Sequence, residues 1–246
     1  MELKPHIIAV FLASVLFTSC EKDQWDDCFT STGSMTEEIR TTDEFSIVEI
    51  HDRVDLVLEE GTAGTIVVRA GKNLFGQIET NVIDGKLIIE NKNTCNWVRS
   101  FQPRITVRVP VVQVAQLDIM GTGNITSTST VQRSFFRIDQ NGGQGNTVLS
   151  LEVDTCFVGM YSGAGNVSIT GSSYFVNLYS NTMGPINAIG LDAEVIAVNN
   201  SGNVDIRCRT SGNLNAEIYG VGDVYYSGEP VITAHIYGSG QLIKVD

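Results

Sequence analysis

The sequence predicts an all-β protein whose main body is a parallel β-helix of about 20 residues per coil, and three observations predict it. The first is internal repetition. From residue 117 onward a short glycine-centred motif recurs: GTGNI at 121–125, GQGNT at 143–147, GAGNV at 163–167, MGPIN at 183–187, SGNV at 201–204, GVGDV at 220–224 and GSGQL at 238–242. With Gly123, Gly145, Gly165, Gly184, Gly202, Gly222 and Gly240 as register marks, the steps are 22, 20, 19, 18, 20 and 18 residues. The second is the pattern between the marks. Val148-Leu149-Ser150-Leu151-Glu152-Val153, Tyr174-Phe175-Val176-Asn177-Leu178 and Val231-Ile232-Thr233 alternate with period two and are rich in β-branched and aromatic residues, which are strand signals. The third is size. A unit this short cannot bury its own apolar face, whereas stacked copies bury one continuous core, with like strands ~4.8 Å apart.

The chain opens with a different kind of segment. Lys4 is followed by the uncharged apolar run Ile7 to Phe17, too short to span a membrane as a helix and suited to a signal peptide over residues 1–19. The run ends in Leu16-Phe17-Thr18-Ser19-Cys20, which resembles a lipobox. That resemblance implies acylation of Cys20 and a membrane partner reached through lipid rather than through a spanning helix. Residues 20–42 then read as a tether, beginning with the acidic Glu21-Lys22-Asp23-Gln24-Trp25-Asp26-Asp27. An acidic stretch in this place also resembles the surface-export signals of Bacteroidetes lipoproteins, so the expected location is the cell envelope, as an outer-membrane lipoprotein facing the exterior.

Residues 43–110 form an N-terminal β region with a less regular beat. Phe45 to Ile50, Val54 to Leu58, Thr65 to Val68, Leu87 to Ile89 and Ile105 to Val109 are strand candidates, with Gly61, Gly64 and Asp84-Gly85 at turns and Pro110 as a stop. A stack of parallel strands needs its open end covered, and this region is expected to continue or cap the coil. Lys244 and Asp246 are expected to discourage pairing at the other end.

Residues 111–246 are the repetitive β-helix. Glycine at each corner suggests a bend with positive φ. Asn124, Asn146, Asn166 and Asn203 follow their marker glycines and are expected to tolerate left-handed backbone or to bond up and down the stack. Ile125, Val167, Val204, Val224 and Leu242 should then point inward, together with Ile119, Val198, Ile218 and Ile236 four residues before their marks. The G-x-G pattern is not a phosphate loop, because no helix follows it.

These residues together resemble a known family. Phe45-x-Ile47, Val54-Asp55-Leu56-Val57-Leu58, Asp84-Gly85-Lys86-Leu87-Ile88-Ile89, Val109-Pro110, the train of glycine motifs and the closing Tyr226-Ser227-Gly228-Glu229-Pro230 are similar to the putative auto-transporter adhesin head (GIN) domain family over about residues 43–246. The resemblance implies a right-handed parallel β-helix and an adhesin-like role. The segment from Asn91 to Ser100 looks like a feature of one branch of that family and implies a structural role for Cys95. Met183-Gly184-Pro185 departs from the pattern at one turn.

Composition narrows the function. Net charge is −12, and residues 111–246 carry 11 acids against 5 bases, so no basic face exists for nucleic acid. Besides Cys20 there are Cys28, Cys95, Cys156 and Cys208, without metal-binding spacing, and His6, His51 and His235 are scattered; no metal or other cofactor is expected. A Cys28–Cys95 disulfide and free thiols remain alternatives, while Cys156 and Cys208 differ in phase and should be two buried thiols. No catalytic residue is assigned. A carbohydrate-active β-helix enzyme is the alternative reading, through Glu152 and Asp154 against Asp192 and Glu194, similar phases two coils or ~9.6 Å apart. The preferred reading is a non-enzymatic binding module. Tyr161, Tyr179, Tyr219 and Tyr237 each follow an inward aliphatic residue and should stack in one outward stripe suited to a glycan or protein ligand. The same stripe could serve as a ladder that stabilises the sheet or as a homo-oligomer contact.

Overall fold

In the computed structural model residues 31–94 and 104–246 are described; Cys20, Cys28 and Cys95 lie outside them. The described residues form β1 (Met35–Thr41), β2 (Ile47–Ile50), β3 (Val54–Glu59), β4 (Thr65–Gly71), β5 (Ile78–Ile83), β6 (Lys86–Asn91), β7 (Ile105–Pro110), β8 (Gln116–Ile119) and β9 (Ile125–Ser127). The second half continues with β10 (Val131–Asn141), β11 (Asn146–Ser162), β12 (Asn166–Ser180), β13 (Ile186–Asn200), β14 (Ile206–Ile218), β15 (Val224–Ser227), β16 (Val231–Ile236) and β17 (Leu242–Lys244).

Parallel pairing makes these strands a solenoid. One side, called side A here, runs β6, β2, β8, β10, then the second halves of β11, β12, β13 and β14, then β16. The next, side B, runs β7, β3, β9, the first halves of β11 to β14, then β15 and β17. A short side C joins B back to A, as at Leu151↔Gly171↔Leu191. On side B of the second half the register offset is 22 residues at Ile125↔Thr147, 20 at Asn146↔Asn166 and 18 at Val224↔Leu242. Nine strands on side A give a column ~38 Å tall at 4.8 Å per strand.

The core is built of stacked columns of inward, mostly aliphatic side chains. On side A, Leu87, Val48, Leu117, Ile138, Val158, Leu178, Val198 and Ala216 follow one another in register, and all are buried. On side B, Val107, Leu56, Ile125, Thr147, Val167, Ile186, Ile206 and Val224 do the same. Each full aliphatic burial stabilises by roughly 1.5–3 kcal/mol, which is why a coil gains only in a stack.

Corner A–B shows what the marker glycines do. None of the seven has positive φ. They are glycine because the coils approach too closely for a side chain. A Cβ on Gly123 would lie 1.8 Å from the Val54 carbonyl oxygen, one on Gly145 1.8 Å from that of Gly123, and one on Gly184 2.0 Å from that of Gly165. Nor are the corner asparagines left-handed. They form a ladder: the Asn124 amide N–H donates to Asp55 Oδ1 (2.8 Å), the Asn146 N–H to Asn124 Oδ1 (3.1 Å), and Asn166 Nδ2 to Asn146 Oδ1 (2.9 Å). The ladder resumes as Asp223 N–H to Asp205 Oδ1 (3.0 Å) and Gln241 N–H to Asp223 Oδ1 (2.8 Å). Pro185, which has no N–H, occupies the rung between Asn166 and Asp205.

Two expectations about inward residues change here. The turn after Gly202 is two residues longer than the repeat suggests, so Asp205 takes the ladder rung and Ile206 the core slot, leaving Asn203 and Val204 in the turn. Buried Asn200 holds that turn, its amide donating to the Val204 and Gly222 carbonyls and accepting from the Gly202 N–H. Ile236 is 51 % exposed rather than buried, because no coil follows it among the described residues.

The N-terminal region both continues and caps the stack. β2 and β3 lie between β6–β7 below and β8–β9 above, so a coil early in sequence is placed second in space. β4 then runs antiparallel to β7, β1 antiparallel to β4, and β5 antiparallel to β6. Arg108 on β7 fixes the cap with a two-pronged pair to Glu37 on β1 (3.0 and 2.7 Å).

Candidate binding face

Along side A the outward residues form parallel columns. One runs Glu49, Asp118, Asp139, Gly159, Tyr179, Asn199, Glu217 and His235. The column beside it, nearer corner A–B, contains Tyr161, Asn181, Ser201, Tyr219 and Tyr237, aligned by the bonds from Asn181 N–H to Met160 O, Ser201 N–H to Ser180 O, Tyr219 N–H to Asn200 O and Tyr237 N–H to Ile218 O. The four predicted tyrosines therefore share a face but not one column: Tyr179 stands one column in from the other three.

The structure brings them together as two pairs. Tyr161 leans across Gly159, where an added Cβ would fall 2.7 Å from its ring, and so reaches Tyr179, with centroids 5.4 Å apart and planes at 35°. Tyr219 and Tyr237 stack at 4.7 Å and 13°. Tyr161, Tyr219 and Tyr237 are 41 %, 47 % and 64 % exposed, so each ring presents a face to solvent. Three strand spacings, ~14 Å, separate Tyr161 from Tyr219 in their column. The ground between is polar: Asn199 Nδ2 donates to Glu217 Oε2 (3.1 Å), Ser201 Oγ to Asn199 Oδ1 (2.9 Å), and Tyr219 Oη reaches the same Glu217 oxygen (3.5 Å).

Charge fixes the first pair. Arg137 donates to Asp139 Oδ2 through Nε (2.6 Å) and to Tyr161 Oη through Nη2 (3.1 Å), and its guanidinium lies 5.8 Å from the Phe157 ring centroid. The Asp139 carboxylate raises the Arg137 pKa, while partial burial, then the nearby Asp139 charge, push the Tyr161 phenol up. Next to them Lys86 bridges Glu49 (2.6 Å) and Asp118 (2.9 Å); this holds the Glu49 carboxyl below its ordinary value. Sequence reasoning missed this network and the tilted row Phe135–Phe157–Phe175, with centroids 5.7 and 6.1 Å apart. The signal is present in the sequence: Phe157 and Phe175 occupy outward phases of β11 and β12, the strands that carry Tyr161 and Tyr179, and Phe135 an outward phase of β10.

The other candidate residues stand elsewhere. Glu152 and Asp192 share a column on side C, with Ser172 between them, and both are exposed. Glu152 accepts from the Gln132 amide (2.7 Å), and Asp192 faces Arg209 (3.6 Å). Cys156 and Cys208 are free and buried on different sides, and burial pushes both thiols up to about 12. Among the described residues no group of three or more His, Cys, Asp or Glu side chains is arranged to hold a metal ion.

A family model described as a putative auto-transporter adhesin, head GIN domain, matches residues 44–230. Similar solved structures include an adhesin from Bacteroides fragilis, titled putative, with a TM-score of 0.79 and 19% identity over 88% of this chain and 100% of that one. Another, titled a putative lipid binding protein, from Parabacteroides distasonis, has a TM-score of 0.69 at 19% identity, covering 88% and 99%. A third, a putative adhesin from Parabacteroides merdae, has a TM-score of 0.66 at 17% identity, covering 88% and 99%. At these identities the likeness is one of fold. No curated protein matches the chain significantly.

Proposed function

The chain belongs to the auto-transporter adhesin head GIN domain family, and from that premise we propose that it is a non-enzymatic adhesion module of the cell envelope, binding glycan through side A. One observation carries the reading: two pairs of tyrosine rings, exposed at Tyr161, Tyr219 and Tyr237 and half-buried at Tyr179, are fixed on a rigid sheet with hydrogen-bonding amide, hydroxyl and carboxylate groups between them. Aromatic faces stack on the apolar faces of sugar rings, and a polar floor takes the hydroxyls. Tyr161 is already held by Arg137, so little ordering entropy is lost on contact. Acylation at Cys20 would hold the module on the outer membrane, facing outward, with a tether that ends before β1, because residues 35–41, expected from sequence to belong to it, are a strand of the cap. Changing Cys20 to Ala should move the protein from the membrane fraction to the soluble fraction.

The direct test is a glycan array probed with the protein and with a variant carrying Tyr161→Ala, Tyr179→Ala, Tyr219→Ala and Tyr237→Ala. Loss of about 1–3 kcal/mol per ring in ligand contact would reduce binding at least tenfold. Equal binding by both would remove the rings from the site. Binding to a protein surface and no glycan would keep the face and change the ligand class. Released sugar product that disappears with Glu152→Gln and Asp192→Asn would replace this reading with the enzyme.

A further inference from the structure

We infer that the open end of the solenoid is an interface between two copies of this chain, joined tail to tail through β16 on side A. The two ends are built differently. β1, β4 and β5 cover the N-terminal coils with antiparallel strands, whereas β16 pairs with β14 on one edge and with no described strand on the other. The inward residues of β16 continue the core columns: Ile232 follows Leu214, Ala234 follows Ala216 and Ile236 follows Ile218. Their predecessors are buried, yet Ile232 and Ile236 are 40 % and 51 % exposed and Val231 is 72 % exposed. A free edge of this kind is ordinarily blunted by lysine, proline within the strand or a bulge. Val231 to Ile236 has none of these, and Lys244, expected to discourage pairing, sits on β17 and is engaged by Glu229.

The edge is complementary to itself. A two-fold axis along the side-A normal sets β16 antiparallel to its copy, and with Ala234 on the axis each inward residue meets an inward one: Ile232 faces the partner's Ile236, and Ala234 the partner's Ala234. Outward, Thr233 faces the partner's His235 and Val231 the partner's Tyr237. No acid, lysine or arginine is set against its like, and the apolar end of each core closes on the other. The same axis leaves both side-A faces pointing the same way, so the assembly would present two binding faces and gain avidity from a surface carrying repeated ligand. The interface itself does not rest on what side A binds.

The register supplies the test. Opposed residues of an antiparallel pair have Cα atoms about 4.5–5.5 Å apart, within disulfide range. The full chain carrying Ala234→Cys, in detergent or in membranes, should form a disulfide dimer under mild oxidation, about tenfold more than either the parent chain or Val148→Cys on mid-side B, because pairing raises the local thiol concentration. Adding Ile232→Lys should abolish the dimer. A monomeric Ala234→Cys that reacts readily with a maleimide would mean an open end with no partner. A monomeric and unreactive one would mean that another segment of this chain covers it. A dimer unaffected by Ile232→Lys would mean random collision. Each of these three results overturns the inference, and none of them bears on the glycan array.

Discussion

At the scale of a residue, the solenoid is limited by how closely its coils approach at corner A–B. Gly145→Ala must push its new methyl away from the Gly123 carbonyl, a rigid backbone atom 1.8 Å distant, and cannot do so by a rotamer change. The expected loss is about 1–3 kcal/mol, the usual range for overpacking, read as a lower urea midpoint. Gly76→Ala is the control, since nothing lies within 4 Å of its Cβ position and its φ is not positive; it should shift the midpoint little. Asn146→Ala removes the acceptor for Asn166 Nδ2 and should cost about 0.5–1.5 kcal/mol by the same measurement. The recurrence of glycine and asparagine was legible in the sequence, but its cause was not. Periodic glycine suggests positive φ, and only the spacing between successive coils reveals a steric limit instead. Pro185 likewise reads as an irregular turn until the ladder shows that it removes one rung.

At the scale of an element, the long strands β11 to β14 each wrap round more than one side, and their inward thiols follow from that path. Cys156 lies between Phe136 and Val176 in register, and Cys208 between Ala188 and Tyr226. Both thiols stay neutral in the fold up to about 12, against an ordinary value of 9.0. The unfolded chain therefore ionises first. Stability from this source is complete below pH 9 and is lost as pH rises toward 12, by about 1.4 kcal/mol per pH unit for each thiol. Urea midpoints at pH 8 and pH 10 should differ accordingly, and the difference should shrink in Cys156→Ala with Cys208→Ala. The folded protein should also resist maleimide at these two positions and accept it on unfolding. The tyrosine arrangement was half legible at this scale. Tyr161, Tyr219 and Tyr237 precede the corner by the same phase, whereas Leu178 belongs to the neighbouring inward column, so Tyr179 stands two residues earlier. Coil steps that vary from 18 to 22 residues hide such an offset from any count along the chain.

At the scale of the whole molecule, order in space departs from order in sequence only at the start, and the departure has a folding consequence. The coil of β2 and β3 is covered on one side by β6–β7 and on the other by β8–β9, so its two neighbours come from residues 86–110 and 116–127. Leu56, Leu58, Val48 and Ile50 are all at most 2 % exposed because both neighbours are present. A repeat array stabilises each unit through its nearest neighbours. A fragment ending at residue 115 would keep the cap and β6–β7 but expose the upper face of β2–β3, while the remainder would begin with β8 uncovered from below. Neither piece should therefore fold alone, although the glycine motifs make residues 111–246 look self-contained in sequence. Far-ultraviolet circular dichroism and cooperative melting of the two fragments check this: separate fragments should lack a sharp transition, and mixing them should restore one. Two independent transitions matching the parent would show that the coils fold as separate bodies. In the intact chain, hydrogen exchange should be slowest in the buried strands β2, β3 and β8 and rise toward β17, which pairs with β15 alone among the described strands. Protection of β16 alone should grow with protein concentration, since its free edge is the one that the tail-to-tail pairing would cover.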